Sequence, residues 1–162
     1  MSLEINAKRI ALVLGIIVLN ILLDQGTKAW ARNELMGAGE LSYLGGFFRF
    51  VYAENKGAFL SLGGGLSEQL RYWSLKVLPV LLLVGLLGYT LFAAKLDRAA
   101  ILSFSLILGG GISNVYDRVR YNQVTDFMNM GFPDLRTGIF NFADVAIMLG
   151  LGVMLLGLFK KG

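Results

Sequence analysis

The sequence predicts an all-α membrane protein with four transmembrane helices and a small extracytoplasmic β-sheet that lies on the membrane. Apolar residues make up 56% of the 162 positions, charged residues only 16%, and the mean hydropathy is +0.64. Such a composition is far from that of soluble domains and calls for a lipid solvent. Four apolar stretches approach the roughly 20 residues that cross a hydrocarbon core about 30 Å thick.

The four spans are expected to form one membrane-embedded domain over residues 1–162. They cover about residues 10–30, 77–94, 99–117 and 139–159. The first span resembles a cleaved signal peptide in one respect, because Lys8 and Arg9 precede its apolar run. No small-residue cleavage site follows it, so we expect a retained span.

The two outer loops, about residues 31–76 and 118–138, are expected to contain short strands. Residues 47–52 are aromatic and β-branched, and Gly45, Gly46 and Gly57 punctuate the loop around them. Residues 123–127 are strand-like, and a turn is expected at residues 132–134. Because aromatic rings suit the membrane interface, we expect a small sheet against the outer leaflet.

The distribution of basic residues predicts that both termini are cytoplasmic. Four spans put the termini on one side, and the opposite side has nine Lys and Arg residues spread over much longer loops. The density of basic residues therefore decides the orientation, although the count does not. The short segments on the terminal side hold Lys8, Arg9, Lys95, Arg98, Lys160 and Lys161.

The chain has no cysteine and no histidine. This excludes disulfides, thiol nucleophiles, zinc sites of the Cys/His type and relays that use histidine. Proton transfer near neutral pH would fall to carboxylates, lysines or tyrosines with shifted pKa values. The basic residues are scattered and form no nucleic-acid-binding stripe, so we expect membrane lipid as a partner and no nucleic acid.

Ionisable and amide side chains gather at the outer ends of the spans. Such groups are costly in a membrane and are functional candidates by default. Two of them lie at the outer end of the first span, three end the third span, two begin the fourth, and one lies in the loop between the third and fourth. They are Asp24, Lys28, Asn114, Asp117, Arg118, Asn141, Asp144 and Asp126.

Asp126 and Asp144 are the best candidates for an acid and base pair. Two carboxyl groups a few ångströms apart cannot easily both ionise, so one holds a proton while the other stays charged. Such a pair can activate a water and protonate a leaving amine. Asn114, Arg118 and Asn141 are placed to orient the pair by hydrogen bonding.

These groups also have ordinary structural interpretations. Opposite charges at positions i and i+4, such as Asp24 and Lys28, are common at helix ends. Asp117 and Arg118 are adjacent and do not face each other, so each is expected to pair with another element. Asn141 suits a helix N-cap, whereas Asp144 lies three residues inside an apolar helix.

Such a pair would make the protein an aspartyl peptidase, and several other functions compete with this interpretation. Ser61 and Lys56 could form a Ser-Lys pair, but the loop has no G-x-S-x-G elbow. A metal held by carboxylates alone is conceivable, although no dedicated ligand loop has the required spacing. A small transporter or assembly subunit would place its acids near the bilayer midplane, whereas here they are expected at one end of the spans. A presenilin-type protease would carry the motif G-x-G-D, which this sequence lacks.

Five segments in a fixed order carry a family resemblance. Residues 24–28 read DQGTK, 55–59 NKGAF, 109–118 GGGISNVYDR, 124–127 VTDF and 140–144 FNFAD. They resemble the motifs D-x-x-[ST]-K, N-x-G-A-A-F, G-G-A-x-G-N-x-x-D-R, V-x-D-F and F-N-x-A-D of the bacterial lipoprotein signal peptidases, or signal peptidase II. Ser113 replaces a usual glycine, and Phe59 with Leu60 stand where the family has Ala and Phe. These departures concern substrate fit more than activity.

The resemblance implies an aspartyl endopeptidase of the bacterial cytoplasmic (inner) membrane with its active site at the outer leaflet. Its substrate would be a diacylglyceryl-modified prolipoprotein, cleaved just before the lipidated Cys. It implies the Asp126 and Asp144 dyad, no metal, no cofactor and sensitivity to globomycin.

The outer loop is expected to contact the substrate. Asn55 and Gly57 belong to the second motif, and Tyr52 and Phe59 are candidate apolar contacts. Glycines on both sides of the strand-like segment give this loop the backbone freedom that a lid requires.

Overall fold

The computed structural model describes residues 6–57, 65 and 67–159, and these residues form five helices and one four-stranded sheet. A π-helical turn, Trp73–Val77, joins the helix Glu68–Tyr72 to the helix Leu78–Phe92, so the two helices are continuous. The helices are α1 (Ala7–Glu34), α2 (Glu68–Tyr72), α3 (Leu78–Phe92), α4 (Arg98–Tyr121) and α5 (Phe142–Phe159). The strands are β1 (Glu40–Tyr43), β2 (Phe48–Asn55), β3 (Val124–Phe132) and β4 (Leu135–Arg136).

Three helical segments are long and apolar enough to cross a membrane: Ala7–Glu34, Glu68–Phe92 and Arg98–Tyr121. The apolar part of α5, Phe142–Gly157, is shorter. Large apolar side chains point outward from these helices, and Leu22 and Leu82 are 65% and 64% exposed. Such a surface suits lipid, where apolar side chains need no burial in protein. The prediction of membrane helices is thus confirmed for three spans.

Three of the four helical segments extend further at one or both ends than the apolar runs suggested, whereas α5 begins at Phe142 rather than near residue 139. Polar caps define their limits: the Asn6 side chain accepts a hydrogen bond from the Arg9 N–H, and Ser67 caps α2 in the same way. The helix before the second apolar run begins at Glu68 rather than near residue 77. At the end of α4, Asn122 adopts a left-handed conformation with φ of 60°, which stops the helix.

The bundle is built around α4, which packs against α1, α3 and α5. Small residues permit the closest of these approaches. The Ser103 hydroxyl donates to the Gly150 carbonyl oxygen at 2.7 Å, and a Cβ at Gly110 would clash with the Ala143 carbonyl oxygen. An apolar cluster of Val13, Ile17 and Leu108 fills the space between α1 and α4.

The sheet is antiparallel in the order β1-β2-β3-β4, and both predicted strand segments are confirmed. A register shift between Phe50 and Ala53 marks an irregularity in β2. The apolar side of the sheet packs on the C-terminal end of α1, through a cluster that includes Leu35 and Phe127. This packing holds β3, and Asp126 on it, over the ends of the helices.

We expect Gly110→Ala to destabilise the protein, because the added methyl group would force α4 and α5 apart. Overpacking of this kind costs about 1–3 kcal/mol. The free energy of unfolding in detergent measures the effect. Gly152→Ala on α5 is the matched control, since a Cβ there would have no neighbour within 4 Å. Equal stability of the two variants would contradict the close α4 and α5 contact.

Candidate active site

A buried ammonium group joins α1 and α4 near the sheet. The Nζ atom of Lys28 lies 2.6 Å from Asp24 Oδ2 and 2.9 Å from Asp117 Oδ2, and it donates to Asn114 Oδ1 at 2.9 Å. These three contacts use all three N–H donors of the ammonium group. Lys28, Asp24 and Asp117 are completely shielded from solvent. The ion pair predicted at the helix end is therefore the centre of a buried network.

The remaining bonds of Asp24 reach two other helices. Its Oδ2 atom accepts a hydrogen bond from the Ser113 hydroxyl at 2.7 Å, and its Oδ1 atom accepts one from the Ala143 N–H at 2.9 Å. Ala143 lies in the first turn of α5. Asp24 thus fixes the start of α5 against α1 and α4.

Asp117 fixes the start of β3 in the same manner. Its Oδ2 atom accepts from the Thr125 N–H at 3.3 Å, and its Oδ1 atom accepts from the Gln25 amide at 2.9 Å. The sequence pattern did not select Ser113 or Gln25, although both belong to the network. Both lie inside the motifs that carry the family resemblance, where Ser113 was interpreted as a departure that concerns substrate fit; its bond to Asp24 places it in the buried network.

Asp126 is buried on β3, next to Thr125, with 3% of its surface exposed. Two neutral amides donate to it: Asn141 at 2.6 Å to Oδ1 and Asn55 at 3.0 Å to Oδ2. Burial, followed by the nearby charge of Asp144, raises the pKa of Asp126 to about 6, although the two amide hydrogen bonds oppose the shift. Asn55, expected to contact substrate, donates to this carboxyl group and also lines the cavity described below.

Asp144 occupies the first turn of α5 and is held by Asn114 and Asn141. The Asn114 amide donates to Asp144 Oδ1 at 2.9 Å, and the Asn141 N–H donates to Oδ2 at 3.2 Å. In return, Asn141 Oδ1 accepts from the Asp144 N–H at 2.9 Å. This reciprocal pattern is that of a capping box. Asn141 therefore caps α5 and also contacts both candidate carboxyl groups.

Arg118 connects α4 to the loop that follows β2. It donates to the Gly57 carbonyl oxygen at 2.9 Å and to the Asn114 carbonyl oxygen at 3.3 Å. The Gly57 N–H in turn donates to Asn55 Oδ1 at 3.0 Å. Asp117 and Arg118 thus contact different elements, as expected for adjacent helix positions.

A cavity of about 590 Å³ opens between α3, α4 and α5. Its polar end is formed by Asn55, Asn114, Arg118, Asp126 and Asp144. The rest of its wall is mainly apolar and includes Leu78, Leu82, Ile139, Ile147, Met148 and Leu151.

Of the two candidate apolar contacts to substrate, Tyr52 and Phe59, the structure describes only Tyr52. Tyr52 is not among the described residues that line the cavity: it packs against the cluster that contains Phe127, and its hydroxyl bonds Glu54 at 3.0 Å. Burial and then Glu54 raise the pKa of Tyr52. Phe59, and Ser61 of the competing serine site, lie outside the residues that the structure describes.

We expect Lys28→Met to lower the free energy of unfolding by about 3 kcal/mol or more, because it leaves two buried carboxylates without their cation. Denaturation in detergent measures the change. Lys95→Met, at an exposed position between α3 and α4, should change stability by no more than about 0.5 kcal/mol. Adding Asp24→Asn to Lys28→Met should restore part of the loss. A Lys28→Met protein as stable as the parent would refute the proposed importance of the ion cluster.

Comparison with known proteins identifies the fold and the family of this chain. Two solved structures described as bacterial membrane enzymes share the fold. The first has a TM-score of 0.81 and a sequence identity of 21%, and the match covers 99% of this chain and 94% of the other. The second has a TM-score of 0.80 and a sequence identity of 22%, and the match covers the whole of both chains. The lipoprotein signal peptidase of Gloeobacter violaceus is 36% identical over 89% of this chain and 79% of its own length. The lipoprotein signal peptidase of Clostridium tetani is 35% identical over 90% of this chain and 91% of its own length. The family described as signal peptidase (SPase) II matches residues 16–160, and the chain therefore belongs to the signal peptidase II family.

Proposed function

We propose that the protein is an aspartyl endopeptidase that removes the signal peptide from diacylglyceryl-modified prolipoproteins, just before the lipidated Cys. The observation that carries this proposal is the placement of Asp126 and Asp144 together at the polar end of an apolar cavity, with Asn141 bonded to both. Family membership and the names of the relatives support the substrate class.

In the proposed reaction the two carboxyl groups share one proton. The ionised group takes a proton from a water molecule, whose oxygen attacks the carbonyl carbon of the scissile peptide bond. The protonated group stabilises the developing oxyanion and then protonates the leaving nitrogen. The C–N bond breaks, which leaves a carboxyl group on the signal peptide and an amino group on the lipidated Cys. A pKa of about 6 keeps the proton of Asp126 available near working pH.

The proposed topology has four spans, cytoplasmic termini and a site at the outer leaflet. The 18 residues of α5 correspond to about 27 Å of helix, close to the thickness of a hydrocarbon core. Asp24 and Ala143 bond each other, so α5 begins at the level where the polar part of α1 lies. The acyl chains and the signal helix of the substrate would then enter the apolar cavity sideways from the bilayer.

The remaining predicted residues have supporting roles in this proposal. Asn114 and Asn141 orient the dyad, while Asp24, Lys28 and Asp117 hold the elements that carry it. Arg118, which lines the cavity, holds the segment at Gly57. A globomycin-type cyclic peptide would bind at the dyad and compete with the prolipoprotein.

Asp126→Asn and Asp144→Asn should each lower cleavage by about 10³-fold or more, because each removes half of an acid and base pair. The assay follows loss of the signal peptide from a purified diacylglyceryl-prolipoprotein, with globomycin as the inhibitor of the parent enzyme. Asp134→Asn, in the exposed turn between β3 and β4, is the matched control and should keep parental activity. Substantial turnover by either dyad variant, with its fold intact, would refute the assignment.

The raised pKa of Asp126 also predicts how stability depends on pH. Its folded pKa of about 6 exceeds the ordinary aspartate pKa of 3.8, so the folded state binds this proton more tightly than the unfolded state does. The contribution of this group to the free energy of unfolding is therefore lowest above pH 6 and rises as the pH falls toward 4. Between pH 7 and pH 5 the parent should gain ~1 kcal/mol relative to Asp126→Asn in detergent denaturation. Identical pH profiles would show that the pKa is not raised.

A further inference from the structure

A second cavity, of about 360 Å³, adjoins the proposed active site. It lies between the outer end of the α2 and α3 helix and the outer end of α4, and it shares Leu75 and Arg118 with the larger cavity. We call it the basic cavity. Its lining includes Lys56, Glu68, Arg71, Tyr72, Lys76 and Arg118.

The charge of the basic cavity is only partly balanced: Asp126, Asp144 and Asp117 lie near enough to Arg118 to favour its charge, but among the described residues Glu68 is the one carboxylate in the lining. Four cationic side chains face a single carboxylate, and within the described residues none of the four forms an ion pair. The Nε atoms of Arg71 and Arg118 are buried and have no hydrogen-bond partner. A buried N–H without an acceptor is costly, so the cavity has the chemistry of an anion site.

The position of the cavity along the helix indicates which anion is available. Tyr72 and Trp73, on the same turn, are 51% and 56% exposed, and their rings meet edge to face. Aromatic side chains exposed in this way are typical of the membrane interface. Immediately after them, Leu78 and Leu81 are exposed on the apolar surface of α3. The basic cavity therefore lies where the apolar surface ends, at the level of lipid headgroups.

We propose that the basic cavity binds the phosphate of an anionic phospholipid of the outer leaflet. This inference rests on the proposed topology, but the lipid is not the substrate, because a diacylglyceryl group carries no phosphate. The phosphate supplies the acceptor that Arg71 and Arg118 lack. Since Arg118 also holds Gly57 and Asn114, the bound lipid stabilises the wall that separates the two cavities.

Native mass spectrometry of the purified protein tests the proposal without any prolipoprotein substrate. The detergent-solubilised parent is titrated with dioleoylphosphatidylglycerol and, separately, with dioleoylphosphatidylcholine, which has the same chains but a zwitterionic headgroup. We expect one phosphatidylglycerol to bind several-fold more tightly than phosphatidylcholine. Arg71→Gln with Lys76→Gln should weaken phosphatidylglycerol binding by roughly tenfold, since two cations near the lipid are lost.

Arg120→Gln is the matched control, because Arg120 is exposed at the same end of α4 but does not line the cavity. It should bind phosphatidylglycerol like the parent. If the double variant does not fold, Lys56→Gln should still cause a loss of a few-fold. Equal binding of the two lipids, or an equal loss in Arg120→Gln, would overturn the proposal. Displacement of phosphatidylglycerol by millimolar inorganic phosphate would assign the cavity to free phosphate instead. Cleavage is not measured here, so failure of this test is distinct from failure of the dyad assignment.

Discussion

The structure depends on one buried ammonium group. An unpaired charge in this environment would cost several kcal/mol, so Lys28 requires that Asp24, Asp117 and Asn114 all stay in place. The two carboxylates are themselves bonded to the backbones of α5 and β3. Every element that carries a candidate catalytic group is therefore tied to the same cation. The packing of these elements and the geometry of the site therefore depend on the same ion cluster.

Much of this arrangement could be predicted from the sequence, because it follows from local patterns. Apolar runs located the membrane helices, aromatic and β-branched runs located β2 and β3, and polar residues at span ends identified the groups that form the network. The parts that could not be predicted depend on contacts between distant residues. Ser113 and Gln25 bond partners on other helices, 88 or more positions away, and no local pattern specifies such pairs.

Which face of the sheet meets the site was equally beyond the sequence, because it depends on how the sheet packs on α1. Successive strand residues point to opposite faces, so Tyr52 and Asn55, three positions apart, lie on different faces. Tyr52 packs with the apolar cluster, whereas Asn55 reaches Asp126. An aromatic residue was the more obvious substrate contact, but the amide is the one that faces the cavity.

The ion cluster of Lys28, Asp24 and Asp117 is separate from the carboxyl groups of Asp126 and Asp144. This separation explains how a chain without histidine can hold a proton near neutral pH. The ammonium of Lys28 is fully used by its three partners, and within the described residues no Lys or Arg forms a salt bridge with Asp126 or Asp144. The hydrogen bonds to these carboxyl groups come from neutral donors on Asn55, Asn114 and Asn141. A directly bonded cation would stabilise both ionised forms and expel the proton. One layer of amides between the cation and the pair orients the carboxyl groups and still leaves the pKa of Asp126 raised, as the proposed acid and base pair requires.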